Sequence, residues 1–83
     1  MNKLETLKMA LTSRDEEIMG YQINIDNYIR AIDKINAEHS DKPAIVEFRD
    51  RLIELLDQHR IEQLKAKIIR DVIADQLTEL EAS

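Results

Sequence analysis

With 83 residues and no cysteine, the chain has room for one small domain and no disulfide or thiolate metal site. Charged residues make up 35% of it and aromatics only 4%, with one Gly and one Pro, which argues against a sheet and for long helices. A net charge of −5 argues against wrapping a phosphate backbone, which needs clustered Lys and Arg.

The first predicted element is a helix over residues 2–38. Leu4, Leu7, Leu11, Ile18, Tyr21, Ile25, Tyr28, Ile32 and Ile35 are spaced by alternating threes and fours. Only Arg14 interrupts the series before His39. Such a heptad ladder lines one narrow seam, and the seam must be covered by another helix. Arg14 is expected either to pair with a carboxylate such as Asp71 or Asp75, or to lay its stem along the seam and send its head to water. Gly20 falls at an outward position. A thinner second apolar track runs through Met19, Ile23 and Ile29.

Residues 39–42 are the predicted turn. Ser40-Asp41-Lys42-Pro43 is the one strong breaker. Ser40 or Asp41 is expected to cap the next helix, and Pro43 suits its first turn because the missing N–H would be unpaired anyway. A loop this short favours an antiparallel hairpin. A near-continuous rod is the alternative.

The second helix is predicted over residues 43–81. Its ladder reads Ile45, Phe48, Leu52, Leu55 and His59, and strict spacing would continue through Glu62, Ala66, Ile69, Ile73, Gln76 and Leu80. Beside it, Ile53, Leu56, Ile61, Leu64, Ile68, Val72 and Leu77 form a second apolar track. So wide a face is expected of a helix that touches more than one neighbour. The fold class expected is all-α: an antiparallel two-helix hairpin that dimerises into a four-helix bundle. Met19, Ile23, Ile53, Leu56, Ile61, Leu64, Ile68 and Val72 are the expected interface with a second copy or with another protein. Folding about residues 41–43 should also bring Asp15, Glu16 and Glu17 near Lys67 and Arg70.

Candidates for chemistry are few. His39 and His59 both fall on the seam, one by the turn and one about four turns up the second helix, so they are not expected to share a metal ion. His59 should hydrogen-bond a neighbour such as Tyr28. Tyr21 and Tyr28 read as amphipathic core residues. No phosphate-binding glycine loop, nucleophile elbow or paired-carboxylate pocket is present, and no catalytic residue, cofactor or metal is expected. The one basic stretch, Arg60 to Arg70 with Lys65 and Lys67, has no aromatic residue for base stacking, so no nucleic-acid partner is expected. No apolar run approaches the roughly 18 residues of a membrane span, and the first residues lack the apolar core of a secretory signal, so a cytoplasmic location is expected.

The segment Glu17-Ile-Met-Gly-Tyr-Gln-Ile-Asn-Ile-Asp-Asn-Tyr28 resembles a block in small coiled-coil-like helical proteins of tailed bacteriophages. Phe48-Arg-Asp-Arg-Leu-Ile-Glu-Leu-Leu56 is similar in style. The resemblance implies a phage accessory protein: an assembly chaperone, a virion part or an inhibitor of a host enzyme. Two functions therefore stand side by side, a structural or assembly protein and a small inhibitor or adaptor that binds one host protein.

Overall fold

A computed structural model describes residues 2–83. They form two α-helices, α1 (Lys3–Glu38) and α2 (Pro43–Ala82), within a residue of the boundaries read from the sequence. The molecule measures 62 × 17 × 15 Å. Helices of 36 and 40 residues are about 54 and 60 Å long at 1.5 Å per residue, so they lie side by side and the near-continuous rod is excluded.

Each helix end has a local cause. Asn2 caps α1: its side-chain oxygen accepts from the Glu5 amide at 2.8 Å, and its carbonyl accepts from the Thr6 hydroxyl at 2.9 Å. At the other end the His39 amide donates to the Ile35 carbonyl at 2.8 Å. The Lys42 amide then donates to the His39 carbonyl at 3.2 Å, closing a turn with Ser40 and Asp41 at its centre. The expected cap by Ser40 or Asp41 is not made. Lys42 is the N-cap, without a side-chain bond, and its carbonyl accepts from the amides of Ile45 and Val46. Pro43 explains this. A residue before proline is pushed into extended backbone, the conformation an N-cap needs, and Lys42 adopts it at φ −108° and ψ 105°.

Three cross-helix pairs fix the alignment. Arg49 donates to Asn36 at 2.9 Å, Gln63 to Gln22 at 2.9 Å and Arg70 to Asp15 at 3.0 Å. The numbers in each pair add to 85, so the helices run antiparallel without slippage over this length.

The ladder of α1 is the seam: Ile25 and Ile35 are buried, and its other members, Arg14 and His39 among them, are half-buried. The ladder of α2 differs from the expected one. Ile45, Leu52, His59, Ala66, Ile73 and Leu80 face α1 as expected, but the positions between them are Arg49, Leu56, Gln63, Arg70 and Leu77. Phe48 is instead 53% exposed and Ile69 is exposed too. Apolar content would favour the expected set. The observed register packs Leu56 and Leu77 in the seam instead, and gives Arg49, Gln63 and Arg70 partners in Asn36, Gln22 and Asp15. Glu62 turns outward to Lys65 at 3.0 Å. Leu56, expected on the outer track, is thereby a seam residue and only 8% exposed. Leu77 joins the seam half-buried.

Gly20 is exposed, and a Cβ added there would meet nothing within 4 Å. Gly20→Ala should therefore stabilise the helix by up to about 1 kcal/mol, seen as a rise of several degrees in the thermal midpoint. A fall in the midpoint would contradict an open position at Gly20.

Candidate interaction surfaces

The polar members of the seam come first, because they are where chemistry would sit. His59 lies half-buried between two tyrosines of α1. Its ring meets Tyr28 edge-on at a centroid distance of 5.0 Å and Tyr21 at 5.9 Å. Its Nδ1–H donates to the Leu55 carbonyl at 2.8 Å, which sets the tautomer. The hydrogen bond thus goes to the preceding turn of α2 rather than to Tyr28, which supplies ring packing instead. His39 is at the C-terminal cap of α1, with Lys42 Nζ 3.3 Å from its Nδ1. Among the described residues no three His, Asp or Glu side chains converge as a metal set would.

His59→Gln should keep the helical content, at a cost on the order of 1 kcal/mol for the lost ring contacts and hydrogen bond. A chelator should leave the thermal midpoint of the unmodified protein in place. Loss of helicity on adding chelator would contradict a purely structural histidine.

Arg14 lays its stem on the seam and turns its head to Glu17 of its own helix, 3.0 Å away, with 40% of the side chain exposed. Neither Asp71 nor Asp75 receives it; Asp71 lies 3.5 Å from Arg70. The short Arg14–Glu17 geometry is available one turn along the same helix, whereas Asp71 is held by its neighbour. Gln63, the one buried polar residue among the described residues, donates to the Ile18 carbonyl at 3.2 Å and to Gln22, so its amide hydrogens are spent. Of the acidic triplet, Asp15 reaches Arg70 as expected, while Glu17 is taken by Arg14. The hydrogen bond to Asp15, and then the attraction of its charge, raises the Arg70 pKa above the ordinary arginine value.

The outer apolar residues are the second feature. Met19, Ile23, Ile53, Ile61, Leu64, Ile68 and Val72 are all exposed, Met19 by 65% and Leu64 by 57%. Leu56 is the one expected interface residue that does not belong with them. Met19 and Leu64 lie at nearly the same level of the rod, since their numbers add to 83. Between the helices on that flank runs a shallow groove lined by Asp15, Ile18, Met19, Gln22, Gln63 and Lys67. Ile61, Leu64, Ile68 and Val72 follow each other by three and four residues, so they form one stripe on the outside of α2. The sequence reading missed Phe48, Met9 and Ile69 as exposed apolar residues. Phe48 and Ile69 precede seam positions 49 and 70, which puts them on the flank away from Lys67.

No helix of the described residues is long and apolar enough to cross a membrane. Set against known protein families, curated proteins and solved structures, the chain matches none of them.

Proposed function

We propose that this protein acts without catalysis, as a homo-oligomeric helical bundle that organises or chaperones partner proteins through its outer faces. In this reading two hairpins pair into a four-helix bundle in the cytoplasm, with no cofactor, membrane or nucleic-acid partner. The observation that carries it is the exposed apolar surface around Met19, Ile23, Leu64 and Ile68. A rod has much surface for its mass: the chain exposes 6078 Å², where a compact monomer of 9.7 kDa exposes about 5,100 Å². The excess is comparable to one partner's share of a standard interface, roughly 800 Å². The resemblance of 17–28 and 48–56 to small phage proteins fits an accessory role in assembly.

Sedimentation or light scattering at micromolar concentration tests the proposal, with a mass about twice 9.7 kDa expected. A monomeric mass overturns it. The second reading, an inhibitor or adaptor for one host protein, draws on Phe48, whose exposed ring lies off the Met19–Leu64 flank. Recovery of a single host protein in stoichiometric amount, abolished by Phe48→Ser, would favour that reading.

A further inference from the structure

Resting on the dimer reading, we infer that two copies meet on the flank carrying Met19 and Leu64, about a two-fold axis that runs along the rod. Each α1 then lies over α2 of the other copy. Charge placement supplies the argument. On this flank residues 15–26 of α1 place Asp15 and Asp26 and no base, with Glu16 on the outer face; Glu17 falls on the other flank, where Arg14 holds it. Residues 60–70 of α2 place Arg60 and Lys67 on it, with Arg70 at its inner edge and no acid; Lys65 and Glu62 pair with each other on the other flank. These segments occupy the same level of the rod, because Asp15 pairs with Arg70 and Gln22 with Gln63. Within one hairpin only Asp15 and Arg70 join them; Arg60 and Lys67 make no ion pair among the described residues.

With the two rods aligned, an isologous contact on this flank has two possible axes. An axis across the rod stacks α1 on α1 and brings acids onto acids. An axis along the rod keeps every residue at its level but exchanges the helices, so acids face bases. Complementary charges choose orientation and register more than they add affinity. The same arrangement sets Met19 against Leu64 of the other copy, with Ile23 and Ile68 at the rim of the contact. It also makes each helix antiparallel to its neighbours, the arrangement of up-down bundles.

The chain has no cysteine, so single thiols report contacts cleanly. Met19→Cys, carrying a size tag, and Leu64→Cys are prepared separately, mixed as reduced proteins and oxidised. Mass and circular dichroism are recorded on the same samples beforehand. The mixed disulfide should dominate, with homodisulfides of either variant nearly absent. A Phe48→Cys variant should stay reduced. Dominance of the Met19→Cys homodisulfide in a dimer of normal mass overturns the axis. Crosslinking through Phe48→Cys, or no disulfide at all in such a dimer, overturns the flank. A monomeric mass overturns the dimer reading itself, and is distinguishable because it appears before oxidation.

Discussion

Leu56→Ala lowers the stability of the protein by about 2–5 kcal/mol, the range for emptying a buried leucine site, whereas Leu55→Ala one residue earlier costs clearly less. Leu56 is buried in the seam and Leu55 only half-buried beside it. Among the described residues the buried apolar ones are few, namely Ile25, Ile35, Leu52, Leu56 and Ala66. One lost leucine is therefore a large fraction of the whole, given typical domain stabilities of about 5–15 kcal/mol. Chemical denaturation at equal protein concentration makes the comparison, since association shifts apparent stability. Equal costs, or a larger cost at Leu55, would return the seam to Phe48, Leu55, Glu62 and Ile69.

Leu64→Asp combined with Ile68→Asp should abolish the proposed dimer. Both side chains are exposed in the single hairpin, so the hairpin's own contacts do not require them. In a bundle interface each would place an unpaired carboxylate in an apolar contact, at a cost of several kcal/mol. The mass should fall to that of one chain, 9.7 kDa, or the helices should melt at a much lower temperature. Phe48→Asp serves as the control and should leave the mass unchanged. A double variant that retains the parent's mass and melting temperature would show that the outer stripe of α2 lies outside the interface.

The helices and their ends were legible because they depend on local chemistry. Pro43 and the heptad repeat of α1 fix most of the outline, and Arg14 keeps its place in that repeat by laying its stem along it. The seam of α2 was harder to read because two ladders share Ile45, Leu52, His59, Ala66, Ile73 and Leu80. Apolar content picks Phe48, Leu55 and Ile69 for the places between. The structure picks Arg49, Leu56, Gln63, Arg70 and Leu77, whose partners lie on the other helix and cannot be read from the spacing of α2 alone. A signal was present: Asn36, Gln22 and Asp15 are separated by the same intervals as Arg49, Gln63 and Arg70. Pairing the chain with itself about the turn would have exposed that match, and the expected Asp15–Arg70 contact was one third of it. The exposure of the outer stripe was readable from helical spacing. That Met19 and Leu64 share a level was not, since it needs the alignment of the two helices.

The short turn at His39–Lys42 also has a kinetic consequence. Arg49 and Asn36 are 13 residues apart in the chain, while Asp15 and Arg70 are 55 apart. Once the turn and the inner pair have formed, the next pair lies only a short further span away, so loop closure is divided into small steps. The hairpin can close like a zipper from Pro43 outward, and a chain that closes this way folds quickly for its size. Damage near the turn should then slow folding, whereas damage near the termini, late in the closing order, should mainly hasten unfolding.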